Sequence, residues 1–151
     1  MNILLVCTGN TCRSPMAEGI LRDLAEKNNL EIEVKSAGIR VYTGDKAARN
    51  SVEALQEIGI DISNHNSTQI TEELIKEADL ILTMSKSHKD FLISRFKSAE
   101  GKVFTLLGYA NGVDQDIIDP FGQSLSVYKE TRDEIYKAIE KLVTILVNSG
   151  K

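Results

Sequence analysis

Between residues 7 and 14 the chain reads Cys7-Thr8-Gly9-Asn10-Thr11-Cys12-Arg13-Ser14, which sets a thiol, a guanidinium and a hydroxyl within eight positions. An apolar run, Ile3-Leu4-Leu5-Val6, precedes them without polar alternation, the pattern of a strand buried on both faces. Helix signals follow, with Ser14 as capping residue, Pro15 at the first helical position and Glu18 close behind. The segment is therefore expected on a strand-to-helix turn, where backbone N–H groups and the positive end of a helix converge. Such a nest suits a tetrahedral dianion, with a thiol beneath it and a planar cation beside it. The chemistry this implies is attack of sulfur on phosphorus.

A thiol at its ordinary pKa of about 8.5 is mostly protonated at neutral pH and is then a weak nucleophile. The helix terminus, the loop N–H groups and Arg13 would all favour the thiolate of Cys7. Taken alone, Cys7 also reads as a small buried residue at a strand end; Arg13 and Ser14 at this spacing turn the reading toward a nucleophile. Arg13 offers a fork of donors that matches two equatorial phosphoryl oxygens, a contact that strengthens in a loose transition state. Ser14 can cap the helix and can also donate to sulfur when sulfur leaves. Gly9 is read as supplying a backbone conformation closed to other residues, and Asn10 as tolerating positive φ, though both also fit plain turn positions. Hydrolysis further requires a proton for the leaving group and then a base for water. Asp119-Pro120-Phe121-Gly122 offers an aspartate in a turn after the last strand, while Asp-Pro is also an ordinary turn signal.

The rest of the composition narrows the class. At 151 residues, 42% hydrophobic and 26% charged, the chain is long and apolar enough to fold as one domain, 1–151, without staples. A net charge of −4 and the lack of a basic stretch argue against nucleic-acid binding. No apolar stretch reaches the roughly 18 residues of a membrane span, and residues 3–6 are too short for a signal-peptide core, so a cytoplasmic location is expected. The two cysteines, Cys7 and Cys12, both lie in the opening loop, which excludes a disulfide scaffold. His65 and His88 pair with no cysteine motif, so neither a metal nor a cofactor is expected, and both histidines read as structural or solvated. Polar helix faces make a monomer the default.

Strand-like and helix-like patterns alternate along the chain, which argues for βαβ units. Strands are expected at 2–7, 31–36, 79–84 and 103–107. Helices are expected at about 15–28, at 47–58 with Gly59 as a C-terminal cap, from Thr71, at 87–96 and from Leu125 to the end, with a loop over 38–47 and another up to Pro120. The expected architecture is a single-domain α/β fold, a doubly wound four-stranded parallel sheet flanked by helices with the Cys7–Ser14 loop after strand 1. Ligands of such sheets bind beyond the C-terminal strand ends, where Cys7 falls. Tyr42 and Asp45 could border the same cleft.

Together these residues resemble the low-molecular-weight protein tyrosine phosphatases. Val6 to Pro15 is similar to their phosphate-binding loop, Ser36-Ala37-Gly38 to the triplet after their second strand, Ala78 to Met84 to their third strand, and Asp119-Pro120 to their general-acid loop. The acid follows the cysteine, unlike the order in larger tyrosine phosphatases. The resemblance implies Cys7 as nucleophile forming a phosphocysteine, Arg13 as phosphate clamp and Asp119 as acid, then base. It implies phosphate or substrate contacts from Thr8, Gly9, Asn10, Thr11, Cys12, Ser14 and Phe121.

Two positions depart from the tyrosine-specific pattern. Phe121 is followed by Gly122 where many eukaryotic members continue with aromatics, and Thr11 stands where tyrosine-specific members carry a bulkier aliphatic residue. Both features are similar to the bacterial protein-arginine phosphatases of the family. A polar guanidinium leaving group suits a hydroxyl and a carboxylate better than an apolar wall, so the favoured substrate is phosphoarginine on proteins, with phosphotyrosine as the alternative. If Thr11 is only a neutral loop residue, it says nothing about substrate. In the family a neighbour such as Cys12 can trap an oxidised nucleophile as a disulfide, keeping Cys7 off the irreversible steps of oxidation; otherwise it is a packed thiol. An arsenate reductase of the thioredoxin-linked kind would need cysteines after Cys12, and there are none. A non-catalytic phosphoprotein-binding module would not need both Cys7 and Asp119.

Overall fold

The computed structural model describes residues 1–149. Its centre is β1 (Asn2–Cys7), buried from Ile3 to Cys7. Successive strand side chains point to opposite faces, so Ile3, Leu5 and Cys7 join one apolar cluster while Leu4 and Val6 join another. Both faces are covered, which is why the run shows no polar alternation. β1 pairs in parallel with β2 (Glu33–Gly38) on one side and with β3 (Leu80–Thr83) on the other, and β3 pairs with β4 (Val103–Thr105). The order β2-β1-β3-β4 is the doubly wound sheet expected from the sequence. β2 is an edge strand, and its start alternates exposed Glu33 and Lys35 with buried Val34 and Ser36.

Against the Ile3–Leu5–Cys7 face pack α1 (Arg13–Lys27), α2 (Arg49–Gln56), α5 (Leu106–Asn111) and the long α6 (Leu125–Ser149). Against the other face pack α3 (Glu72–Glu77), through Ile75, and α4 (Lys86–Arg95), through Leu92. Thr71 and Ser85 cap α3 and α4, accepting from the N–H groups of Leu74 and His88. After α2 the chain closes with Gly59 at φ 81°, its N–H bonding Gln56 O while that of Ile60 bonds Leu55 O. This is the double hydrogen bond that a left-handed glycine permits at a helix end, as the sequence suggested.

Several boundaries differ from expectation: β2 runs Glu33–Gly38 and not 31–36, α2 runs Arg49–Gln56 and not 47–58, and two further cases have a visible cause. α1 begins at Arg13, its capping position is Cys12 without a side-chain cap bond, and Ser14 lies inside the first turn. The Ser14 hydroxyl is engaged by Asn10 and Cys7 instead of by the helix. Pro15 sits there at no cost, because the N–H it lacks is among those a helix leaves unpaired. The strand expected over 103–107 stops at Thr105, and α5 occupies 106–111, where the end of that strand and the start of a loop were expected. Thr105 Oγ1 accepts from the Gly108 N–H at 2.9 Å and donates to Asp114 at 2.8 Å, which turns the chain into a helix. A short apolar run carries no period that could have distinguished the two.

Candidate active site

At the C-terminal end of β1, at the switch between β2 and β3, residues 8–12 leave the sheet and enter α1. The N–H groups of Gly9, Asn10, Thr11, Cys12, Arg13 and Ser14 donate to no protein atom among the described residues. Six consecutive donors without protein acceptors, ending on a helix N-terminus, constitute an anion cradle. Cys7 is buried beneath it, its Sγ 2.9 Å from Ser14 Oγ. Asn10 Nδ2 donates to the same Ser14 oxygen at 2.7 Å, which leaves the Ser14 proton free for sulfur.

The loop is held from beneath by Asn10, fully buried at φ 57°. Its amide also donates to Ser36 Oγ at 2.9 Å and accepts from the Thr68 N–H at 2.9 Å. Its carbonyl accepts from Ser67 Oγ and bonds His65 Nε2, both at 2.9 Å. Ser36 Oγ donates onward to Glu18, which pairs with Arg22 at 2.6 Å. The left-handed residue is therefore Asn10 and not Gly9, whose φ is not positive and where a Cβ would only make ordinary contact with Thr11 Oγ1. At this loop the glycine with a steric reason is Gly38, opposite Cys7 in the sheet: a Cβ there would lie 2.7 Å from Thr8 O and 2.9 Å from Asn10 N.

Arg13 is buried, with Nη1 donating to Ile117 O at 2.9 Å and Nη2 3.6 Å from Asp119 Oδ2. Asp119 is half exposed, and its Oδ1 accepts from the Phe121 N–H at 3.1 Å, so the Asp-Pro turn aims the carboxylate at the loop. These groups surround a cleft of about 280 Å³ lined by Cys7, Thr8, Gly9, Thr11, Cys12, Arg13, Asp119 and Phe121, with Tyr42 and Asp45 on its border as expected. Phe121 and Tyr42 are each 72% exposed and form an aromatic rim. A larger groove of about 650 Å³ lies beside Glu18 and His65, on the far side of Pro15. It holds none of the sulfur chemistry.

Several residues at the site were not anticipated. Arg40 lines the cleft and its N–H donates to Thr8 O at 2.9 Å. Tyr128, read only as an apolar position of the last helix, bonds Cys12 Sγ through its hydroxyl at 3.3 Å. Burial pushes the Cys12 thiol up from its ordinary pKa, so Cys12 is held as a thiol. Neither histidine is solvated: His65 reaches Asn10, and buried His88 has Nε2 2.8 Å from Thr8 Oγ1 and Nδ1 2.8 Å from Ser85 Oγ. No signal in the linear sequence ties these residues to the loop, because their partners lie 55 and 80 positions away. Among the described residues no group of three or more His, Cys, Asp or Glu is placed to hold a metal ion, and no helix is long and apolar enough to cross a membrane.

Residues 2–150 match the family model of the low molecular weight phosphotyrosine protein phosphatases. The chain belongs to this family. It is 46% identical to the protein-arginine-phosphatase of Bacillus subtilis (strain 168), covering 94% of each chain. It is 44% identical to the protein-arginine-phosphatase of Geobacillus stearothermophilus, covering 93% of this chain and 92% of that one. The fold superimposes on a YwlE arginine phosphatase mutant with a phosphorylated active site serine, with a TM-score of 0.96 at 44% identity, covering 99% of this chain and 97% of that one.

The buried histidine has a consequence for stability. Burial, and then the charge of Arg13, lower the His88 pKa to about 4, so the ring is neutral in the fold at pH 7. Because the folded value lies below that of the unfolded chain, the unfolded state binds more protons as pH falls from about 6.5 to 4, and stability falls with it. Urea midpoints over this window should show the wild type losing up to about 3 kcal/mol more than His88→Gln. Equal losses in the two proteins would show that His88 does not titrate this way.

Proposed function

We propose that the chain is a cysteine-dependent protein phosphatase that hydrolyses phosphoarginine on proteins. The run of six acceptorless N–H groups above Cys7 Sγ and beside Arg13 carries this reading. A phosphoryl group seated in the cradle is clamped by the Arg13 fork and attacked by the Cys7 thiolate in line with the leaving nitrogen. Asp119, at the open side of the cleft, gives that nitrogen its proton. The phosphocysteine is then hydrolysed by a water that gives its proton to the Asp119 carboxylate. Ser14, its proton free for sulfur, stabilises the departing thiolate.

Support for phosphoarginine comes from Thr11 on the cleft wall and from the two relatives named as protein-arginine-phosphatases. A guanidinium carries several N–H donors and no acceptor, so hydroxyl and carboxylate groups suit it better than an aliphatic wall. The aromatic rim of Phe121 and Tyr42 also fits the aromatic ring of phosphotyrosine, which remains the second reading. Cys12, buried and adjoining the cleft, is the group we assign to trap Cys7 after oxidation. Peroxide converts the Cys7 thiolate to a sulfenic acid, and the Cys12 thiol condenses with it to a disulfide and water.

Three outcomes follow. Cys7→Ser should lose hydrolysis while still retaining phosphorylated protein, and Asp119→Asn should lower kcat about 10²- to 10⁴-fold, least for substrates with good leaving groups; full activity in Cys7→Ser refutes the mechanism. Side-by-side kcat/KM on phosphoarginine and phosphotyrosine proteins should favour the former, and Thr11→Ile should move the ratio toward phosphotyrosine. A wild-type preference for phosphotyrosine refutes the substrate assignment. Peroxide inactivation should reverse with a thiol reductant in the wild type and become irreversible in Cys12→Ser; reversal in both would remove Cys12 from that role.

A further inference from the structure

In the mechanism above the Thr8 hydroxyl, one of the groups on the cleft wall, has no stated partner on the substrate. Thr8 follows the nucleophile directly, its side chain is exposed on the cleft wall, and among the described residues its hydroxyl is the one loop hydroxyl fixed by a histidine. His88 in turn is fixed at both ring nitrogens, Nε2 to Thr8 Oγ1 and Nδ1 to Ser85 Oγ, each at 2.8 Å. Ser85 is itself the capping residue of α4, where its oxygen accepts the His88 N–H and lies 3.0 Å from Ser87 Oγ. A neutral, buried imidazole on a helix N-terminus thus acts as a strut that reaches 80 residues across the chain to one hydroxyl at the mouth of the cradle.

We infer that Thr8 is a second specificity-determining residue, whose oxygen accepts a hydrogen bond from the guanidinium of phosphoarginine, and that His88 is the residue that positions it. The inference rests on the phosphoarginine reading given above. A hydroxyl has one proton and two lone pairs, while a neutral imidazole has one donor and one acceptor nitrogen. If His88 Nε2 donates, Thr8 spends one lone pair and keeps the other; if Nε2 accepts, Thr8 spends its proton and keeps both. Whichever tautomer is present, an acceptor remains for a substrate N–H. By contrast, among the described residues Thr11 Oγ1 has only the Cys12 sulfur at 3.6 Å, so its hydroxyl is not held by a strong partner there. The fixed oxygen of Thr8 loses less freedom when substrate binds, which is how preorganisation raises affinity. The phenolic oxygen and ring of phosphotyrosine offer no N–H to that oxygen, so the contact discriminates between the substrates.

The test compares kcat/KM on two peptides of one sequence that carry either phosphoarginine or phosphotyrosine. Thr8→Val should lower the phosphoarginine-to-phosphotyrosine ratio about tenfold, the worth of one hydrogen bond to a charged group, while Thr8→Ser, which keeps the oxygen, retains it. His88→Asn, too short to reach Thr8, should lower the ratio in the same direction, and His88→Gln, whose amide extends to the Nε2 position, should restore it. The double variant Thr8→Val/His88→Asn should lose no more than Thr8→Val. A merely structural His88 would lower both rates together and leave the ratio where it was. A ratio unmoved in Thr8→Val overturns the inference, and since Thr8 is exposed that variant is expected to fold. A ratio that falls in Thr8→Val and stays at the wild-type value in His88→Asn overturns the role of His88. A wild-type enzyme that prefers phosphotyrosine overturns the substrate reading itself, whereas a phosphoarginine preference that ignores Thr8 counts against this inference alone.

Discussion

The site depends on one buried asparagine. Asn10 stands in the left-handed region, a conformation that costs a non-glycine residue roughly 1–2 kcal/mol. Its side chain offsets that cost by closing bonds to three places at once: Ser14 on α1, Ser36 on β2, and the N–H of Thr68. Its carbonyl is held by His65 and Ser67. With the middle of the loop tied at five points, neighbouring N–H groups keep the arrangement in which they find no protein acceptor. The same crowding explains Gly38, since any side chain there would press on the loop backbone.

Electrostatics follow from that shape. An acidic chain must concentrate positive potential locally if it is to hold a phosphoryl dianion, and it does so with a helix terminus, loop N–H groups and one buried arginine. Arg13 is oriented by the Ile117 carbonyl and by Asp119, which places its fork at the cradle before substrate arrives. Its charge also helps keep His88 neutral, so a buried imidazole beside the site serves as a hydrogen-bonding strut. The two sulfurs have different neighbours. Cys7 faces Ser14 and the helix end, whereas Cys12 is packed against Tyr128 and held as a thiol by burial.

The linear pattern announced the sheet because β1 is buried on both faces and can carry no polar alternation. It announced α6 through its long apolar stripe and α2 through Gly59. It misplaced the start of α1, because Ser14 has the composition of a cap while its hydroxyl answers a stronger local demand from Asn10 and Cys7. It passed over α5 because the deciding contact, Thr105 with Asp114, joins two residues that do not mark a helix separately.

The order of residues alone therefore determined the proposed nucleophile and its neighbours: Cys7, Arg13 and Ser14 lie within eight positions, and short separation brings them together in any fold that keeps a strand and a helix around them. Asp119 was legible as a turn residue, and only the resemblance singled it out as the proposed acid. What the tertiary structure alone decided is everything held at long range. His65, His88, Tyr128, Ser36 and Arg40 reach the loop because sheet order and helix packing bring their elements to one edge, and no spacing in the sequence records such a contact. Local chemistry is written in short spacings, whereas the bonds that hold it still are formed when distant segments pack.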